Sequence, residues 1–135
     1  MTELYVRVGL GDESYALPVE HVTETAEADG IAPIPGAPAH VAGVCNLRGE
    51  LLPVFDLAGV LDLSARASGE RLVVLEHGML RAGLVVDEVA DVGPLPGHSE
   101  AAEAELLAGA VLCEGTLVGV VDVPRLFEKL AHEGR

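Results

Sequence analysis

The sequence predicts an all-β protein of two small packed barrels, five strands each, with a short helix at the C-terminus. Three observations predict it. Apolar and polar side chains alternate with period two in short runs such as "LYVRV", Leu4 to Val8, the pattern of a half-buried strand. Gly-containing turns separate these runs at short intervals, as hairpins require. The two halves of the chain also resemble each other, so one small β unit is present twice.

The elements follow in order. After the first strand, "GLGDES" supplies Gly and Asp for a turn, and "YALPV" returns as a second strand. "IAPIPGAPAH" holds Pro33, Pro35 and Pro38, which forbid regular helix and favour an extended connector. "VAGVCNL" and "ELLPVFDL" are strands around a turn at Arg48-Gly49, and "AGVLDL" is one short helical turn. "SARASG" reads as a polar linker at about 64–69, dividing a subdomain at about 1–63 from one at about 70–135. "RLVVLEHGMLRAGLVVDEV" is strand, turn, strand. Ser99 to Leu107 carries an N-terminal Ser and early Glu residues, so a short capped helix is expected. "GAVLCEGTLVGVVDV" is a further hairpin, and "PRLFEKLAHEGR" a helix opening on Pro124.

The duplication is visible by sliding the chain on itself. At an offset of 66, Ala42, Gly43, Gly49, Leu51, Val54 and Asp56 fall on Ala108, Gly109, Gly115, Leu117, Val120 and Asp122. At an offset of 67, Leu17, Val19 and Val22 fall on Leu84, Val86 and Val89, while Glu20 and Glu24 fall on Asp87 and Asp91. A unit of half this length buries only a marginal core alone. Two units packed face to face add a shared apolar layer, which accounts for a chain that is 50% hydrophobic.

Composition narrows the function. A formal net charge of −14 repels a phosphate backbone, so neither nucleic acid nor insertion into an anionic membrane surface is expected, and a basic or apolar protein surface is the better partner. With 3% aromatic residues, base stacking has almost no platform. Cys45 and Cys113 are widely spaced in apolar runs; they read as core residues in a reducing cytoplasm, not as a disulfide framework. No secretory signal and no run of membrane-spanning length is expected. His21, His40, His77, His98 and His132 lack ligand spacing, so no metal and no cofactor is expected. Asp56 and Asp122 raise the one enzymatic alternative, a small hydrolase with an aspartic dyad. Neither is followed by the Thr/Ser-Gly that shapes such a loop, and strand-end Asp residues that cap the next turn explain them better.

"APAHVAGVCNLRGELLPVFDL" closely resembles the signature of the CheW-like domain family of bacterial chemotaxis, and "GLVVDEVADV" and "LLAGAVLCEGTLVGVVDVPRLF" resemble its later blocks in the same order. The resemblance runs from about Leu4 to Leu130 and implies one CheW-like domain over 1–135. It implies SH3-like barrels, no enzymatic activity, and a cytoplasmic adaptor in receptor arrays at the inner face of the membrane. The implied partners are the regulatory CheW-like domain of a CheA-type histidine kinase and the cytoplasmic tip of a methyl-accepting chemoreceptor. An adaptor of a chemosensory pathway with an output other than swimming fits the same pattern. Cys45 stands where the family usually has Ile or Val, and Thr25 where an aliphatic residue is commoner.

The resemblance also assigns sites. Arg48, Val86, Val89 and Gly43 fall at receptor-binding positions, and Val22 and Glu24 at kinase-facing ones. Gly49, Gly109, Gly115, Asp56 and Asp122 are repeat positions with structural roles. Arg48 stands out on its own chemistry: a turn needs no Arg, and its repeat partner is Glu114. A guanidinium there acts either by touching a partner or by pinning the barrel through a carboxylate fork.

Overall fold

A computed structural model describes residues 3–63, 69–102 and 104–133. The expected linker therefore lies, apart from Gly69, outside the described residues. Among the described residues twelve strands run in chain order: β1 (Tyr5–Leu10), β2 (Glu13–Pro18), β3 (Val22–Glu27), β4 (Ile31–Ala32), β5 (Val41–Leu47), β6 (Glu50–Asp56), β7 (Arg71–His77), β8 (Leu80–Val86), β9 (Glu88–Gly93), β10 (His98–Glu100), β11 (Leu107–Cys113) and β12 (Thr116–Val121). A 3-10 turn, Val19–His21, links β2 to β3. Helix α1 (Leu57–Val60) follows β6, and helix α2 (Val123–Glu133) follows β12.

The turns carry the duplication in their backbone angles. Gly11 and Gly78 open two-residue hairpin turns with φ of 61° and 63°. Arg48-Gly49 and Glu114-Gly115 make the other kind, with φ of 53° and 86°, and 48° and 84°. Two positive φ values in a two-residue loop match the right-handed twist of the flanking strands.

The strands form two six-stranded sheets. Sheet A runs β10-β11-β12-β2-β1-β9, and sheet B runs β4-β5-β6-β8-β7-β3. Under the repeat, β1 to β6 correspond to β7 to β12, so the two sheets have the same order of equivalent strands. Each takes its central hairpin from the other half of the chain. The exchanged hairpins join through parallel pairs, β2 with β12 and β6 with β8. Both sheets therefore draw on both sides of residues 64–69, and the boundary expected there is not a boundary between sheets. Local alternation fixes a hairpin but not its long-range partner. The sixth strand in each sheet is a short edge, β4 or β10, in segments that the sequence pattern marks only as connectors.

The expected shared layer is present. One cluster joins both sheets and α2, with Val8, Leu17, Leu57, Val73, Leu84, Val86 and Leu126 at 1% exposure or less. Smaller clusters lie within each sheet: Cys45, Leu52, Val54, Leu72, Val74 and Val85 in sheet B, and Ala16, Val111, Cys113 and Val118 in sheet A. Each sheet thus turns one face to the shared cluster and covers its other face with a smaller cluster of its own, alternate residues of a strand falling in the two. Cys45 and Cys113 are both buried and unbridged.

Two local expectations resolve differently. The helix expected over Ser99 to Leu107 is not there among the described residues. His98–Glu100 instead pairs with β11, and a turn leads into Leu107. Backbone pairing with a neighbouring strand outweighs a capping pattern in so short a segment. Asp56 and Asp122 are helix caps. Asp56 Oδ1 accepts from Ala58 N at 3.0 Å, and Asp122 Oδ1 accepts from Arg125 N at 3.1 Å.

Tyr15 ties this core to pH. It is 6% exposed, and its hydroxyl donates to Glu13 Oε2 at 2.9 Å. Burial, then the Glu13 hydrogen bond and charge, push its phenol well above the ordinary 10.0. Tyr5 is raised in the same direction, by burial first and Glu3 second. A folded-state pKa above the unfolded value gives stability that is complete below pH 10.0 and is lost as pH rises beyond it. Denaturant melts at stepped alkaline pH are expected to show that fall, and Tyr15→Phe is expected to flatten it.

Candidate functional site: a charged and apolar end of sheet B

The Arg48-Gly49 turn is locked from within, because Asn46 Oδ1 accepts from Gly49 N at 2.9 Å. From this turn Arg48 reaches the edge strand β3. Its Nη1 donates to Glu24 Oε1 at 2.9 Å, and its Nη2 lies 2.7 Å from Glu24 Oε2. This is a two-pronged guanidinium–carboxylate fork between groups 24 residues apart. In sheet order β3 and β6 are separated by β7 and β8, so the fork holds the curl of sheet B. Arg48 remains 76% exposed and Glu24 20%. An ion pair so open to solvent contributes at most about 1 kcal/mol to stability, so its main effect is on shape and on what the surface presents.

The repeat supplies an internal control. The positions equivalent to Glu24 and Arg48 in sheet A are Asp91 and Glu114. Both are acidic, and no such fork can form there. The fold therefore does not require it.

The same end of sheet B is apolar. Leu51 is 70% exposed, Leu80 52% and Met79 100%. The parallel register of β6 and β8 sets Val54 beside Gly83, which brings Leu51 level with Leu80. Behind them a shallow groove runs between β6, β8 and α2, lined by Pro53, Phe55, Ala82, Phe127 and Leu130. The equivalents of Met79 and Leu80 are Asp12 and Glu13, so the core has no need of apolar side chains at these places. Three large exposed aliphatics in one patch mark a contact surface. Sequence pattern alone does not select them, although comparison of the two repeats contains the signal.

The other expected site residues separate. Val86 is fully buried in the shared core; it has no surface to offer a partner, so the expectation of direct receptor contact by Val86 is corrected to a core role. Val22 and Val89, repeat equivalents on the two edge strands β3 and β9, are half-buried against that same core. Gly43 is buried, with φ 146°, where a Cβ would stand 2.1 Å from the Ala32 carbonyl oxygen. Its role is the close approach of β5 to β4. Glu24 and Arg48, assigned to different partners, are instead one unit. Gly49 and Gly115 serve their turns, and a Cβ on Gly109 would meet the Glu100 carbonyl oxygen at 3.3 Å.

Two histidines that are far apart in sequence do meet. His21 and His77 have ring centroids 5.4 Å apart, and His77 stacks on Phe127. Among the described residues no group of three or more His, Cys, Asp or Glu is placed to hold a metal ion. No described helix is long and apolar enough to cross a membrane.

Two sheets of one build, of which one carries the Glu24–Arg48 fork beside exposed Met79 and Leu80 at its turn end, define a class: an all-β protein-interaction module. The family is equally definite. The CheW-like domain matches residues 4–131, and the chain belongs to that family. It is 29% identical to the Chemotaxis protein CheW of Rhizobium meliloti, over 92% of this chain and 86% of that one. It is 37% identical to Protein FrzA of Myxococcus xanthus, over 78% of this chain and 72% of that one. The crystal structure of the scaffolding protein TtCheW from Thermoanaerobacter tengcongensis superposes with a TM-score of 0.83 at 26% identity, covering 94% of this chain and 88% of that one.

Proposed function

We propose that this protein is a non-catalytic adaptor of chemotaxis signalling, coupling chemoreceptors to a CheA-type histidine kinase. The observation that carries the reading is the end of sheet B, where the Glu24–Arg48 fork and the exposed Leu51, Met79 and Leu80 lie together. Apolar anchors with a charged rim are the anatomy of a specific protein interface. Family membership supports this reading, in which the partners are the kinase's regulatory CheW-like domain and the cytoplasmic tip of a methyl-accepting receptor. The adaptor works in the cytoplasm, in arrays at the inner face of the membrane. Val22 and Glu24 serve the kinase side, and Arg48 and Val89 the receptor side. Because Glu24 and Arg48 grip each other, a change on one side is felt on the other. The chain acts as a single CheW-like unit, and its mechanism is geometric. It prefers one arrangement of the receptor–kinase assembly and so biases the equilibrium between arrangements.

Capture assays test this. Wild-type protein is expected to retain both a receptor cytoplasmic fragment and a kinase regulatory domain when each is offered alone. Retention of neither overturns the adaptor reading.

A further inference from the structure

We propose that the turn end of sheet A is a docking groove for a basic, partly apolar segment of a partner protein. This surface is separate from the Arg48 end and carries the opposite chemistry.

The groove is open to solvent. Parallel pairing of β12 with β2 sets Val118 beside Ser14, so the turn at Gly11-Asp12 lies next to the turn at Glu114-Gly115. Asp12, Glu13 and Leu117 line the groove together with Tyr15, Leu107 and Gly119. Its floor is kept low by a missing side chain: a Cβ on Gly119 would stand 3.0 Å from the Tyr15 ring and 3.2 Å from Leu107. Leu117 projects from β12 at 58% exposure.

The rim is acidic. Asp12, Glu13 and Glu114 are exposed. None of them is in an ion pair among the described residues, and Glu13 has only the Tyr15 hydroxyl as a partner. The corresponding places in sheet B hold Met79, Leu80 and Arg48. Repeat-equivalent positions in an otherwise matched fold have diverged from apolar and cationic to anionic. The two ends therefore select different occupants.

Charge identifies the occupant. A second copy of this chain also carries −14 and is repelled from an acidic rim. A segment with Arg or Lys set between small apolar side chains meets the carboxylates with its cations and Leu117 with its aliphatic groups. The adaptor reading supplies the reason for a second surface on one small protein, but the test below needs neither kinase nor receptor. Its failure would leave capture of those partners untouched, and failed capture would leave its outcome untouched.

The probe is a short synthetic peptide of repeated Leu-Arg-Ala, titrated into isotopically labelled full-length protein and followed by amide shifts. Shifts are expected to concentrate on Asp12–Tyr15 and Glu114–Gly119. The double variant Glu13→Arg, Glu114→Arg is expected to weaken binding by about tenfold or more. Leu117→Ser is expected to weaken it several-fold with no change of charge. Glu70→Arg with Glu128→Arg makes the same charge change on exposed residues outside the groove and is expected to leave binding near wild type. The proposal is overturned if this control weakens binding as much as the groove variant, which would make the effect one of net charge. It is also overturned if the shifts gather at Leu51, Met79 and Leu80, or if the groove closes by self-association of the free protein.

Discussion

Gly43→Ala is expected to remove about 4 kcal/mol or more of stability, a large share of the about 5–15 kcal/mol that a folded domain possesses. The new methyl group would lie 2.1 Å from the Ala32 carbonyl oxygen and 2.8 Å from its carbon. Both are backbone atoms, so no rotamer change relieves the clash, and β4 must leave β5. The φ of 146° adds strain, because an L side chain rarely adopts it. Gly97, just before β10 in sheet A, meets the same kind of clash: its φ is 150°, and a methyl group added there would lie 2.0 Å from the Leu112 carbonyl oxygen. Gly97→Ala is therefore expected to destabilise as Gly43→Ala does. Gly49→Ala is the control. Nothing stands within 4 Å of a Cβ there, and only the left-handed turn conformation is penalised, at about 1–2 kcal/mol. Urea melts of the three variants check the ordering. If Gly43→Ala melts within about 1 kcal/mol of wild type, close packing of β4 on β5 is not what the glycine provides.

Arg48→Glu is expected to abolish receptor capture while leaving the fold intact. It sets a carboxylate against Glu24 at the place where the fork now closes at 2.7 and 2.9 Å. Because the pair is exposed, the stability change stays within about 1 kcal/mol, and melting separates a lost contact from a lost fold. Glu24→Arg is expected to fail in the same way. The reciprocal swap, Glu24→Arg with Arg48→Glu, then distinguishes the two routes open to Arg48. Restored capture means the fork positions the end of sheet B. Loss that persists in the swapped protein means the guanidinium itself touches the partner. Full capture by both single variants contradicts a functional role for the pair.

Most of the local architecture is legible in the sequence. The hairpins of Gly11, Arg48-Gly49, Gly78 and Glu114-Gly115 are written in turn chemistry, which acts over two residues and needs no tertiary partner. The caps at Asp56 and Asp122 are legible for the same reason. The exchange of hairpins between halves is not. Whether β2 pairs with β6 or with β12 is decided by long-range packing of near-identical apolar faces, and alternation is the same in both cases. Ser99 to Leu107 misleads because its cap and acidic residues describe an isolated helix, whereas the β11 edge is available for pairing. At the site, Arg48 is legible as the place where the repeats differ. Its partner Glu24 is singled out separately, and only the curl of sheet B brings the two together. Val86 shows the limit of a family pattern: its position matches, but the side chain is fully enclosed. Met79 and Leu80 are legible in principle, since Asp12 and Glu13 replace them in the other repeat.

Co-sedimentation of receptor and kinase decides whether the chain couples them. A receptor cytoplasmic fragment is pelleted with the kinase regulatory domain, with and without this protein. The kinase domain is expected in the pellet only when the wild-type chain is present, and to return to the supernatant with Arg48→Glu. Kinase that pellets equally in the absence of the chain, or that stays soluble in its presence, contradicts the adaptor role.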